Sequence, residues 1–300
     1  MNKRIEALLN ELNQEVLGRE DIVRISLASL FVGGHILIED VPGAGKTTLS
    51  AALSQVTGLD FKRIQFTSDL LPSDILGFLF LDKNVNEFIF KKGPIFTDIL
   101  LADEINRASS KTQSAFLQAM EEREVSIENE HFQLSPLFCV IATQNYKDQV
   151  GTHQLPESQM DRFSISLNLG QNTRDVEKEI LKRNHGAKRK LLSVISHEEF
   201  LKIAEEIRNV EVAEKSYDII LDILELFRKE HSSDISIRAA QDLKRISKAI
   251  AFFAGRNFVT PADIFFVAPF VFSHRIIKDN TIGHGFEKSK SSLQKISEFL

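Results

Sequence analysis

The segment Asp40-Val41-Pro42-Gly43-Ala44-Gly45-Lys46-Thr47-Thr48 restricts this 300-residue chain more than any other stretch. It follows a short apolar run, His35-Ile36-Leu37-Ile38-Glu39, and leads into Thr47 to Val56, whose small and apolar residues suit a packed helix. A strand, a glycine-rich turn and a helix in that order let bare backbone N–H groups wrap phosphate oxygens at the helix N-terminus. In such a loop Lys46 reaches the β- and γ-phosphates and Thr47 holds Mg²⁺. The strict pattern asks for glycine where Asp40 stands, so the match rests on Gly43, Gly45, Lys46 and Thr47.

A second signal lies downstream in Ile99-Leu100-Leu101-Ala102-Asp103-Glu104. Taken alone, the two acids read equally well as the solvated start of a helix after a core strand. Joined to a phosphate loop, the strand places Asp103 beside Mg²⁺ and Glu104 where it polarises a water. A glutamate after the metal acid points to hydrolysis, because a phosphotransferase gains nothing from activating water. A third strand-like run, Leu137–Ala142, enters Thr143-Gln144-Asn145. A polar amide at that strand end would lie near the γ-phosphate and align the attacking water, although the same residues also form turns. Arg162, flanked by acids before Phe163, reads either as a surface ion-pair residue or as an arginine finger for a neighbouring subunit's nucleotide. Arg107 has the same two readings, subunit boundary or surface pairing.

Further β-prone runs at Phe61–Phe66 and Phe163–Leu167, with helical stretches such as Lys111–Glu122 between them, predict a parallel sheet with helices on both faces. After Gly170 the pattern is helical: Thr173–Arg183, Ser196–Arg208, Ala213–Glu230, Ile237–Phe253 and Pro261–Phe272. Residues 277–300 are polar until Leu293 and are expected to fray. Charge follows the same division, with 15 basic and 23 acidic residues over 1–170 and 22 and 19 over 171–300. A net charge of −5 gives no global field to hold nucleic acid or anionic lipid. No apolar run approaches the ~20 residues that span a bilayer, and no secretory leader pattern opens the chain, so a cytoplasmic protein without direct membrane insertion is expected. The single cysteine, Cys139, reads as a small core residue, and the eight histidines form no metal-ligand cluster.

Together these segments resemble the MoxR family of AAA+ ATPases. The likeness rests on Glu39–Thr48, on Leu101-Ala102-Asp103-Glu104-Ile105-Asn106-Arg107-Ala108, on Ala142–Asn145, on Leu155–Phe163 and on Ser236-Ile237-Arg238-Ala239. It implies an α/β fold: an AAA+ P-loop core over residues 1–187, a parallel five-stranded sheet in an αβα sandwich, followed by a smaller all-helical lid domain over 188–300. It implies ATP with Mg²⁺ as cofactors. The catalytic set would be Lys46, Glu104, Asn145 as sensor 1, Arg162 acting in trans, and Arg238 as the lid arginine. Pro42, Gly43, Ala44, Gly45, Lys46, Thr47 and Thr48 would cradle the phosphates, Val16 and Gly18 would line the adenine pocket, and Thr47 with Asp103 would hold the metal. Ile75–Gly93 and Arg123–Pro136 would form two inserted hairpins. Tyr146 and Gln154 depart from the family pattern, each standing where proline is more usual, outside the catalytic set.

The function implied is an ATPase in a ring-shaped homo-oligomer, usually a hexamer, that remodels or matures protein complexes in a chaperone-like manner. The partners would be protein clients, among them von Willebrand factor A domain proteins, and no nucleic acid. A helicase-like remodeller of nucleic acid is the alternative from another class, and the acidic run Glu121–Glu130 argues against it. A nucleotide-dependent binding switch without turnover is the third reading, against which Glu104, Asn145 and Arg162 speak.

Overall fold

The computed structural model describes residues 2–39, 44–84, 86–127, 130–145, 152–183, 191, 193–231, 234–277 and 281–297. Two helices open the chain, α1 (Lys3–Glu15) and α2 (Glu20–Phe31), followed by β1 (Ile36–Glu39), α3 (Lys46–Thr57) and β2 (Phe61–Gln65). A short α4 (Pro72–Leu76) runs into the antiparallel pair β3 (Gly77–Asp82) and β4 (Glu87–Lys92), and β5 (Ile99–Asp103) then enters the sheet. Next come α5 (Ser110–Glu122), the antiparallel pair β6 (Glu124–Ile127) and β7 (Glu130–Gln133), β8 (Cys139–Gln144), α6 (Glu157–Met160) and β9 (Ile165–Leu167). The rest is helical: α7 (Arg174–Lys182), α8 (His197–Arg208), α9 (Glu214–His231), α10 (Ile237–Phe253), α11 (Pro261–Phe272) and α12 (Ile282–Ser297).

The five central strands are all parallel, in the order β2-β5-β8-β1-β9. Except in the edge strand β2, their near-continuous apolar sequences are what a sheet covered on both faces requires. The two-residue period divides each strand between two cores. Leu37, Leu100, Ala102, Val140 and Ala142 face α4 and α5, whereas Ile38, Ile99, Leu101, Ile141 and Ile165 face α1 to α3 and the C-terminal helices. The opening helices bridge sheet and C-terminal bundle: Phe31 stacks on Phe200 at 4.4 Å and meets Phe253 edge-on, while the Asn2 N–H donates to the Phe253 carbonyl. Both expected hairpins form, and Phe90 of one stacks on Phe132 of the other at 3.9 Å. Of the acidic run, Glu121 and Glu122 belong to α5 and not to the hairpin.

The C-terminal residues depart from expectation. Residues 282–297 form a regular helix, with Ile282, Ser289, Ser292 and Leu293 buried. Small side chains make this possible. A Cβ on Gly285 would stand 2.3 Å from the Ser273 carbonyl oxygen, so α12 packs backbone against backbone where any other residue would clash. Ser292 and Lys295 both bond Glu230, at 2.6 and 2.7 Å. Among the described residues, no helix is long and apolar enough to cross a membrane.

Two histidines are buried in the neutral form. His35 accepts the Val140 N–H at Nδ1, and burial, with Arg123 nearby, pushes its pKa down to about 3. His274 bridges Ser166 and the Phe163 carbonyl, and burial beside Arg275 holds it well below the usual range. The native state therefore refuses protons that the unfolded chain takes up below pH ~6.5, so stability is complete above that value and is lost as pH falls. Each histidine contributes a slope of up to roughly 1.4 kcal/mol per pH unit. Urea denaturation should show constant stability from pH 7 to 8 and a steep decline from 6 to 4.5, made shallower by one histidine's share in His35→Gln.

Candidate nucleotide site

Parallel strands end on one edge of a sheet, and here the registers align those ends. Gln65 lies opposite Asp103, and Ile38 lies opposite Thr143. The loop that leaves β1 re-enters the described structure at Ala44 and Gly45. Gly45 has φ +98°, a conformation that favours glycine, and nothing lies within 4 Å of where its Cβ would be. Lys46, Thr47 and Thr48 form the first turn of α3, where backbone N–H groups have no intrahelical acceptor, and both threonines are exposed. Pro42 and Gly43 of the expected loop lie outside the described residues, as does Tyr146. Gln154 is exposed.

The two acids sit together at the end of β5. Buried Asp103 accepts the Thr143 hydroxyl on Oδ1 at 2.6 Å and the Arg63 guanidinium on Oδ2, also at 2.6 Å. The same Thr143 oxygen accepts the Glu104 N–H at 2.9 Å, so one hydroxyl joins both acids to β8. Glu104 is itself left-handed, φ +55°, which turns the chain off the strand into a short 3₁₀ turn, Ile105–Arg107. Its carboxylate takes Gln65 at 2.9 Å and Arg107 at 2.8 Å, both on Oε2. The surface-pairing reading of Arg107 thus holds in the single chain, with the catalytic candidate as its partner.

Asn145 is buried, and its carbonyl faces the Asn106 amide at 3.5 Å. Glu39, also buried, accepts Gln144 at 3.1 Å and the backbone N–H of Ile282 at 2.6 Å, tying the phosphate-loop strand to the first residue of α12. Val16 is buried at the end of α1, and Gly18 lies directly under Val176 of α7. Arg19 pins this turn by donating to Asn172 and to the Gly170 carbonyl.

Mg²⁺ suits the donors present. Thr47 and Asp103 carry hard oxygen donors on adjoining elements that could hold it, and no cluster of three or more His, Cys, Asp or Glu exists among the described residues that would compete as a closed cage. Mg²⁺ takes one or two protein oxygens and completes its shell with phosphates and water.

Arg162 and Arg238 are placed elsewhere. The Ser164 N–H bonds the His35 carbonyl, before β1 begins, so Arg162 lies at the N-terminal edge of the sheet. It pairs through Nε with Glu121 Oε2 at 2.9 Å, and Arg238 pairs with Oε1 of the same carboxylate. Both line a groove of about 380 Å³ with Gly33, Arg123, Lys244 and Arg245. The body of the sheet separates this groove from Lys46, Asp103 and Glu104.

The description of the ATPase family associated with various cellular activities (AAA) matches residues 35–165, and that of the AAA lid domain matches residues 229–296. Chaperone MoxR1 of Mycobacterium tuberculosis is 34% identical over 284 residues, which cover 91% of this chain and 75% of that protein. The chain belongs to the MoxR-type AAA+ ATPases. YeaC of Bacillus subtilis, itself uncharacterized, is 40% identical over 90% of this chain and 85% of its own. A crystal structure of a candidate ATPase from Cytophaga hutchinsonii superposes with a TM-score of 0.86 at 35% identity, covering 98% of this chain and 94% of that one.

In this MoxR-type ATPase, sequence reasoning missed Arg63, Gln65, Thr143 and Glu39 as neighbours of the site. Thr143 was visible as the polar end of an apolar strand, but only the strand order shows that it faces Asp103. Thr143→Val keeps the shape and removes the hydroxyl, orphaning a buried carboxylate oxygen. That change should cost about 1–3 kcal/mol in urea unfolding, with Thr143→Ser close to the parent.

Proposed function

We propose that this chain hydrolyses ATP to ADP and phosphate as one subunit of a homo-oligomeric ring, most simply a hexamer, and uses the cycle to remodel or mature protein complexes. The observation that carries the reading is the separation of the two halves of the machinery. Lys46, Asp103 and Glu104, the candidates for phosphate binding, metal holding and water activation, stand at one edge of the sheet, and Arg162 with Arg238 stand at the other. The length of β1 alone is about 13 Å at ~3.3 Å per residue, so two copies are needed to bring both halves to one nucleotide.

In this reading the α3 N-terminus, Gly45 and Lys46 hold the β- and γ-phosphates. Thr47 and Asp103 are the residues that would hold Mg²⁺, which when bound draws charge from the phosphate oxygens. Asn145 aligns a water, and Glu104 takes its proton as the water oxygen bonds to the γ-phosphorus and the bond to the bridging oxygen of ADP breaks. Gln65 and Arg107 both hold Glu104 by Oε2, which leaves Oε1 to face that water. Arg162 and Arg238 of a neighbouring copy neutralise charge on the γ-phosphate.

Lys46→Ala should abolish ATPase activity, and Glu104→Gln should bind ATP but hydrolyse it at least about 10²-fold more slowly, measured by phosphate release. Specific activity should rise with protein concentration. Mixing Arg162→Ala with Lys46→Ala subunits should restore part of it, since one supplies the intact loop and the other the intact finger. Full activity in a monomer by light scattering overturns the ring.

Chaperone MoxR1 is the relative whose name supports the remodelling half. Glu104→Gln, holding ATP, serves as the trap: recovery from native lysate of a von Willebrand factor A domain protein, or of unfinished subunits of one complex, supports it. Stimulation of ATPase activity by DNA or RNA with a steep salt dependence overturns it in favour of nucleic-acid remodelling.

A further inference from the structure

Arg162 and Arg238 come from distant parts of the chain, yet both close on Glu121, the one through Nε at 2.9 Å and the other through a terminal amino group. Arg238 has a second carboxylate in view, Asp161, but at 3.9 Å. Asp161 is already engaged: it accepts Ser236 at 2.7 Å on one oxygen and Arg275 at 2.8 Å on the other. The other cations of the groove also have duties. Arg123 donates to the Gly33 and Pro136 carbonyls, Arg245 pairs with Asp242, and Lys244 lies over Tyr217.

Two guanidinium groups that share one carboxylate leave a net positive charge. They also leave donors over, since the contact of Arg162 uses Nε and its terminal amino groups make no hydrogen bond among the described residues. The backbones beneath them are fixed independently. Ser236 caps α10, accepting the Arg238 N–H at 3.2 Å, and bonds Asp161 next to Arg162. What remains loose is the last few bonds of each arginine, and Glu121 is the group that holds both ends.

We infer that Glu121 is the positioning residue that sets Arg162 and Arg238 as one paired donor for the terminal phosphate of a neighbouring copy's nucleotide. The inference rests on the ring ATPase reading above and adds a residue to it. Glu121 does not touch the nucleotide. It cancels the repulsion between the two arginines and fixes their spacing, so that the turn between α6 and β9, which carries Arg162, and α10 of the C-terminal bundle, which carries Arg238, deliver their charges together.

The test uses full-length Glu121→Gln, whose amide has one acceptor oxygen and no charge, with Glu122→Gln as the control, because Glu122 is exposed and bonds Gln118. Expected in Glu121→Gln is a kcat lower by about 10- to 100-fold, the scale of a small misplacement of a catalytic group. Affinity for a fluorescent ATP analogue should be unchanged, and Glu122→Gln should match the parent. Added to an Arg162→Ala/Arg238→Ala background, Glu121→Gln should cause no further loss, because its effect passes through the arginines. Mixed with Lys46→Ala subunits, Glu121→Gln should regain activity, since its own loop is intact and its neighbour's arginines are held.

A parent that hydrolyses ATP beside a Glu121→Gln variant of equal kcat overturns this inference alone, as does a further loss in the double-arginine background. A parent that hydrolyses no ATP in any assembled state overturns the ATPase reading and this inference with it.

Discussion

A carboxylate at the end of a fully buried strand costs several kcal/mol unless both oxygens are partnered. Asp103 meets that condition with two groups from two other strands: the Thr143 hydroxyl of β8 on one oxygen and Arg63 of β2 on the other. Satisfying the acid therefore fixes three strand ends relative to one another. The Glu104 N–H shares the same Thr143 oxygen, so the water-activating candidate inherits its position from the metal-binding one. On the far side of β8, Glu39 binds Gln144 and the α12 backbone, which brings the phosphate-loop strand and the C-terminal helix into the same lattice of bonds. The strand that leads into the loop, the acids and the last helix are thus tied to one another.

The placement of the arginines follows from topology more than from their own chemistry. A parallel strand that follows β8 and pairs with β1 must begin at the edge where β1 begins, and Arg162 precedes that strand by a few residues. α5 returns from the acid edge to the opposite one, bringing Glu121 to meet it. A chain built this way sets Arg162 and the two acids at opposite edges of its own sheet, and that separation is what the proposed use of a second copy rests on.

Much of this was legible in the chain. The strand-loop-helix context of Lys46, the acids closing an apolar strand and the switch to helices after Gly170 are local patterns that periodicity and turn chemistry reveal. Partnerships across the fold were not. Arg63 and Gln65 belong to a run that reads only as β-prone, and it is the pairing of β2 with β5 that brings them to Asp103 and Glu104. Glu121 read as one more acid in a charged run. α12 was missed because, between Ile282 and Leu293, the buried face is made of glycine and serine, which carry no hydrophobic signal and pack by closeness of approach. His35 and His274 are neutral for a reason the sequence also hides, complete burial in the folded core beside Arg123 and Arg275 respectively.

One buried network remains, in which Arg275 joins Asp161 and Asp242 with only 3% of its own side chain and 2% of that of Asp242 exposed. Ion pairs so deeply placed are a poor source of stability, because desolvation cancels most of the attraction. Their geometry is more informative than their energy. Arg275 also donates to the Asp161, Phe163 and Val271 carbonyls, so the backbone on either side of Arg162 is held at several points. Asp242 lies one helical turn beyond Arg238 on α10, so the same guanidinium anchors the helix that carries the second arginine. A floor fixed by one fully engaged cation, under two cations held by a single exposed carboxylate, separates rigidity from adjustability. The backbone cannot wander, while the charged tips can exchange one anion for another.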